Sequence, residues 1–149
     1  GLRAGREDVV AAVGLATALE LAEQMRPGEV ERLTTLRNQI LEGIKLLSPT
    51  CLLNGDASRR LANNLNISLP GLSGEDLVAH FDALGSAVAT GAACAASKEE
   101  PSHVLLAIGR TPIEAQSSLR ITLGRQTTPE QIDRFLTIFK QVLSRLATI

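Results

Sequence analysis

The chain predicts an α+β domain in which helices cover one face of a small, mostly antiparallel sheet. Three observations carry that expectation. Two helical stripes open the chain, from Val9 to Met25 and from Val30 to Leu47. Two segments, Asn64 to Leu69 and Ser118 to Leu123, alternate apolar and polar residues as half-covered strands do. Capped helices lie between and after them, so the two opening helices are followed by strands interleaved with helices.

Glu7 and Asp8 suit a first helical turn, and Val9, Val13, Ala16 and Leu19 follow at helical spacing. Arg26-Pro27-Gly28 predicts a break, because proline removes a backbone donor and crowds the preceding turn. The second stripe carries Leu33, Leu36, Ile40, Ile44 and Leu47, and Ser48-Pro49 ends it. Cys51-Leu52-Leu53 is a short strand closed by the turn Asn54-Gly55-Asp56. Leu65, Ile67 and Leu69 share one face of the next strand, opposite Asn64, Asn66 and Ser68. Ser73 caps a helix that turns Leu77, Phe81 and Leu84 inward, and Gly85 stops it. Ser86 to Thr90 reads as a brief strand, and Pro101 opens a short apolar helix that Gly109 closes. Thr111-Pro112-Ile113-Glu114 is a capping box, and Thr128-Pro129-Glu130-Gln131 is a second one. The closing helix carries Ile132, Phe135, Phe139, Val142 and Leu146 inward.

At 149 residues the chain has one domain's worth of length, with no internal repeat and no low-complexity linker. Three Phe, with no Trp or Tyr, argue against base stacking or a carbohydrate platform. A net charge of −1 gives no electrostatic footprint for nucleic acid or an anionic membrane. No apolar run reaches membrane-spanning length, and no signal-peptide pattern opens the chain. Two cysteines, Cys51 and Cys94, make neither a disulfide framework nor a zinc site, and no intrinsic metal is expected. Both read as reduced thiols in a cytoplasmic setting. With no initiator Met and a helical pattern that starts almost at once, the chain is expected to be a piece of something longer.

The stretch from Thr90 to Gly109, TGAACAASKEEPSHVLLAIG, places Cys94 among Gly and Ala with no bulky neighbour. That composition gives a thiol access and lets the backbone bend, a poor way to build a core and a good way to present sulfur. Few apolar anchors make Thr90 to Glu100 an expected mobile segment. Cys51, in an apolar strand, reads as core. Arg120 lies on the face opposite Leu119, Ile121 and Leu123, so a rigid strand offers its guanidinium fork to a carboxylate; an ordinary solvated Arg is the competing reading. Arg125 reads as surface charge. Gly1 to Arg6, GLRAGR, has the composition of an anion-binding entry to a helix, and also of a plain loop. His103 follows Pro101 and is a candidate base for Cys94, whereas His80 sits within a helix. Neither has the spacing of a metal ligand or a triad member.

Order and spacing bring these pieces together. Ala89-Thr90-Gly91-Ala92-Ala93-Cys94-Ala95, running on through Glu100-Pro101-Ser102-His103-Val104-Leu105 to Ile108-Gly109, is similar to the catalytic loop of cysteine desulfurases with a long loop, the type active in nitrogen fixation and iron–sulfur assembly. Ser117-Ser118-Leu119-Arg120, Leu123-Gly124-Arg125 and Thr127-Thr128-Pro129-Glu130-Gln131-Ile132-Asp133 resemble that family's substrate-carboxylate strand and last helix. Leu53-Asn54-Gly55-Asp56, Asn63-Asn64-Leu65-Asn66-Ile67-Ser68 and Gly1-Leu2-Arg3-Ala4-Gly5 match in register, so the resemblance covers essentially the whole chain.

The resemblance implies the small C-terminal domain of a fold-type I pyridoxal-phosphate transferase. Residues 1–149 would form one domain, a connecting helix at about 6–25 plus the small domain, with the large cofactor domain lying outside the chain. It implies that Cys94 takes sulfur from cofactor-bound L-cysteine as a persulfide, leaving L-alanine, and that Arg120 holds the substrate carboxylate. Arg3, Gly5 and Arg6 would approach the cofactor phosphate of the neighbouring subunit in a homodimer. The implied partners are L-cysteine and a sulfur-acceptor or iron–sulfur scaffold protein, with no nucleic acid and no membrane. Two departures matter. Only Lys45, Lys98 and Lys140 are present, none in the context of the Schiff-base lysine, so the chain alone is expected to hold no pyridoxal phosphate and to be inactive. Arg6 stands where the family has a hydroxyl residue. The alternative is a non-catalytic desulfurase-derived module that binds a sulfur acceptor or assembly partner.

Overall fold

A computed structural model of the chain describes residues 4–90 and 101–146. The elements run α1 (Val9–Leu47), β1 (Leu52–Leu53), β2 (Asn64–Ser68), α2 (Gly74–Ala83), α3 (His103–Ala107), α4 (Pro112–Gln116), β3 (Ser118–Thr122) and α5 (Pro129–Leu146). The sheet is three-stranded, in the order β1-β2-β3, and antiparallel at both pairings.

The period-2 pattern decides which side of the sheet is core. Leu65, Ile67, Leu69, Leu119, Ile121 and Leu123 are buried against Leu36, Ile40 and Ile44 of α1, Leu77 and Phe81 of α2, and Ile132, Ile138, Phe139 and Val142 of α5. Phe81, Phe135 and Phe139 form a cluster with ring centroids 5.4 to 6.1 Å apart. The expected inward residues of α5 are therefore core or half-buried, and Ile138, absent from the sequence pattern, joins them.

The opening differs from expectation. Residues 9–47 form one 39-residue helix that passes through Pro27 without ending. Proline in a helix interior costs about 3 kcal/mol, but the turn before it, Glu23 to Arg26, is made of good helix formers. Arg26 also braces the preceding turn with two bonds of 2.7 Å to the Glu23 carboxylate. Beyond Pro27 the helix is clamped: Arg32 donates to the carbonyls of Gly124, Arg125 and Thr127, tying α1 to the turn before α5. Asp8 is the N-cap rather than a first-turn residue, accepting from the Ala11 amide at 2.9 Å. Val9, Val13 and Leu19, on the first stripe, are exposed, as are Val10, Leu15 and Leu21.

The punctuation signals hold. Ser73 accepts from the Asp76 amide, and both capping boxes close reciprocally, Thr111 with Glu114 and Thr128 with Gln131. Gly85 and Gly109 adopt φ of +74° and +89° just past α2 and α3, a region that favours glycine. Ser86 to Thr90 forms less than the expected strand: a single bridge joins Ala89 to Arg120. No helix among the described residues is long and apolar enough to cross a membrane.

Candidate functional site

β3 carries the candidate site. Its buried positions, Leu119 and Ile121, face the helices, so Arg120 between them stands on the opposite, polar face and is exposed. Arg120 has a neighbour on each side in the sheet, and its own backbone bonds run to one of them. Asn66 of β2 is its cross-strand partner. On the other side the Arg120 amide donates to the Ala89 carbonyl at 2.6 Å, and the Ala89 amide donates back at 3.1 Å. Ladder bonds at Leu123–Asn63 and Leu69–Ser117 put Asn66 and Arg120 at a non-hydrogen-bonded position, where facing side chains are closest. The guanidinium has no hydrogen bond or ion pair among the described residues.

The row extends past Asn66. The Asn54 amide donates to the Asn66 carbonyl at 2.9 Å, so Asn54, Asn66, Arg120 and Ala89 form one line across the polar face. Asn54 is buried and saturated: its Nδ2 donates to Asn66 Oδ1 at 2.7 Å and to Ser68 Oγ at 2.9 Å. Arg110, between α3 and α4, donates from Nε to Asn54 Oδ1 and from Nη2 to the Leu53 carbonyl, both at 2.6 Å. Arg60 adds a bond to the Asn54 carbonyl. The sequence pattern marked Asn54 as a turn and passed over Arg110, because their meeting spans 56 positions. An obligate donor after a helix stop would have been the only local signal.

The turn after Asn54 is ordered by Asp56. Its carboxylate accepts from the backbone amides of Arg59 and Ser58 and from the Ser58 hydroxyl. These bonds, the Arg59 amide foremost, pull the carboxyl down to about 2.

The other candidates fall as follows. Cys51 is buried in the core cluster, and burial pushes its thiol up to about 11, with Lys45 opposing weakly. Cys94, the expected mobile segment beyond Thr90, and Arg3 lie outside the described residues. Gly5 has φ of +110° with open space where a Cβ would sit, and Arg6 is exposed in the same turn. His103 is exposed at the start of α3, and His80 Nδ1 lies 2.8 Å from the Asp76 carbonyl of its own helix. Arg125 is exposed, as expected of a surface charge. Lys45 and Lys140 sit on exposed faces of α1 and α5, the helices that cover the apolar side of the sheet. The described residues thus offer a sheet face that carries an exposed arginine and no lysine beside it, so they do not by themselves fit a pyridoxal-phosphate pocket. Among them no group of three or more His, Cys, Asp or Glu is placed to hold a metal. A hollow of about 430 Å³ lined by Gly28, Glu31, Arg32, Thr35, Leu36 and Pro129 shares no residue with the Arg120 face.

The comparisons with known proteins point one way. Residues 1–135 match the aminotransferase class-V family. A cysteine desulfurase IscS of Clostridium botulinum (strain Kyoto / Type A2) is 43% identical over 147 residues, covering 97% of this chain and 37% of the relative. Cysteine desulfurase IscS 1 of Archaeoglobus fulgidus is 38% identical over 149 residues, covering 100% of this chain and 39% of that protein. The chain therefore spans well under half the length of the curated relatives it matches. Among solved structures, a NifS-like protein superposes with a TM-score of 0.81 at 28% identity, over 97% of this chain and 36% of that one. The NifS-like protein of Rickettsia africae gives 0.80 at 25% identity, over 95% and 36%. The α+β fold with its antiparallel sheet and the matches along the whole chain agree: the chain belongs to the class-V aminotransferase family.

Proposed function

We propose that this chain is the C-terminal part of a pyridoxal-phosphate-dependent cysteine desulfurase, which removes sulfur from L-cysteine and passes it to an acceptor or iron–sulfur scaffold protein. The observation that carries the reading is Arg120, set in the sheet between Asn66 and Ala89, with an exposed guanidinium that has no partner among the described residues. In this reading its guanidinium receives the substrate carboxylate and sets the amino acid's orientation. Cys94 takes up the sulfur as a persulfide, and its Gly/Ala surroundings let the sulfur be carried to the acceptor. Pyridoxal phosphate, held by a large domain outside this chain, supplies the electron sink. Arg3, Gly5 and Arg6 face the cofactor phosphate of a neighbouring subunit in a homodimer, with the open turn at Gly5 in support. The apolar residues exposed along the first half of α1, a connecting helix, are covered by that large domain. The protein works in the cytoplasm, without nucleic acid or membrane.

The test is cysteine-dependent production of alanine and sulfide by the complete protein. Cys94→Ser should lower it by orders of magnitude while Cys51→Ser leaves it intact; normal turnover by Cys94→Ser would remove the nucleophile from this account. The isolated chain should hold no pyridoxal phosphate, and a stoichiometric borohydride-reduced adduct at one lysine would contradict that.

A further inference from the structure

The side chains beside Arg120 have a direction, and it is set from one end. Arginine only donates. Arg110 Nε therefore fixes which end of the Asn54 amide faces it, because only Oδ1 can accept there. That choice leaves Asn54 Nδ2 to face Asn66 and Ser68, which the two bonds at 2.7 and 2.9 Å confirm. Asn66 in turn offers Oδ1 to Asn54, so its own Nδ2 is the end turned away from Asn54. Directly across on β3 stands Arg120, at the closest kind of cross-strand pair. The chain of amides thus runs from one obligate donor and ends with a donor, next to a second obligate donor. Among the described residues neither the Asn66 Nδ2 nor the Arg120 guanidinium donates a hydrogen bond. Two donors on paired cross-strand positions are poorly satisfied by each other and well satisfied by an anion with two oxygens.

We propose that Asn66 is a second carboxylate-binding residue, donating from Nδ2 to the carboxylate that Arg120 receives, and that Asn54 and Arg110 are positioning residues that fix its polarity. The inference rests on the reading of Arg120 as the substrate-carboxylate residue. It assigns specificity: the site asks for a planar, two-oxygen anion, and an amine without a carboxylate gains nothing from Asn66.

The test uses the complete, cofactor-loaded protein. Asn66→Asp is the sharpest variant, because an aspartate still accepts from Asn54 Nδ2 yet replaces the outward donor with an acceptor. The KM for L-cysteine and the inhibition constant of L-alanine should each rise by about tenfold or more, the scale of one hydrogen bond to a charged group. The inhibition constant of cysteamine, which lacks the carboxylate, should not rise. Asn66→Ser, with a shorter side chain, should show the same carboxylate-dependent loss in smaller measure. Arg110→Met should weaken L-alanine binding in the same selective way, and Arg110→Lys, still a donor, should restore it. Arg120→Ala is the control for the underlying reading. If Arg120→Ala weakens L-alanine while both Asn66 variants bind it normally, the role of Asn66 is overturned and Arg120 stands. If L-alanine and cysteamine weaken together in the Asn66 variants, the effect is general and the proposal fails. If Arg120→Ala leaves L-alanine binding unchanged, the reading of Arg120 itself is wrong.

Discussion

Two glycines at packed positions test whether backbone or side chain limits the fold. A Cβ at Gly74, the first residue of α2, would lie 2.6 Å from the Gln116 carbonyl oxygen and 3.0 Å from that of Ser118. Those oxygens belong to backbone that has little room to move: Ser117 accepts from the Leu69 amide at 3.1 Å, and Ser118 is paired with Ser68. Relief of an overlap that deep needs a shift of roughly half an ångström in α2 or in the start of β3, which places Gly74→Ala toward the upper part of the ~1–3 kcal/mol range for overpacking. Alanine returns at most ~1 kcal/mol of helix propensity. A net loss of about 1–2 kcal/mol follows. At Gly43 in α1 a Cβ would come within 2.6 and 2.7 Å of the Leu136 methyl carbons, and those can rotate away because Leu136 is only half-buried. There propensity and repacking nearly cancel, and Gly43→Ala should lie within about 1 kcal/mol of the parent. Urea unfolding of the chain reads the difference. With a slope of ~1–3 kcal/mol per molar, Gly74→Ala should lower the midpoint by several tenths of a molar or more. A Gly74→Ala variant as stable as Gly43→Ala would refute the claim that the α2 terminus is packed against immovable backbone.

Three further outcomes are expected. Ile121→Ala, in the core, should cost about 2–5 kcal/mol, whereas Thr122→Ala, on the exposed face with a bond at the 3.5 Å limit, should cost under ~0.5 kcal/mol; equal losses would invert the face assignment. Asp56 has its pKa lowered to about 2 in the folded chain, so its stabilising effect is complete above the ordinary carboxyl value near ~4 and is lost as pH falls from there toward 2. Melting temperature should accordingly fall more steeply between pH 4 and 2 in the parent than in Asp56→Asn, and parallel curves would contradict it. Cys51, with its thiol raised to about 11, should react with iodoacetamide at pH 7 at least ~100-fold more slowly in the folded chain than in urea, as followed by peptide mass. Equal rates would place it outside the core.

How much of this was legible depends on the range of the interaction. Alternation at Asn64 to Leu69 and Ser118 to Leu123 is a property of neighbours two apart, and both strands formed with the expected faces. Capping boxes span three residues and also read correctly. The break at Pro27 did not occur, because its local cost is set against a helix clamped far away by Arg32 at the turn before α5. Ser86 to Thr90 carried strand residues but found only one pairing position, at Arg120. Buried Arg37, which donates to the Leu61 carbonyl and to Asn38, left no mark in the apolar pattern. At the candidate site the face of Arg120 was readable from Leu119 and Ile121. Its companions were not, since Asn66, Asn54 and Arg110 arrive through strand register and through contacts between residues far apart in the chain.

Register is also what makes the site and the core one specification. The pairing of Leu65 with Ile121 and Ile67 with Leu119 sends four apolar side chains to the helices. The same register places Asn66 opposite Arg120 and Ser68 opposite Ser118 on the other face. Turning either strand over by one residue would carry Arg120 or Asn66 into the cluster around Phe81 and Phe139, where no acceptor awaits them, and would expose two or more aliphatic side chains. An uncompensated charge in the interior costs several kcal/mol, and each aliphatic residue exposed costs a further ~1.5–3 kcal/mol. Those penalties are comparable to the whole stability of a small domain, so the slipped sheet is not an accessible alternative. The guanidinium needs no separate device to aim it. The energy that excludes water from Ile67, Leu119 and Ile121 is the energy that holds Arg120 and Asn66 side by side on the open face.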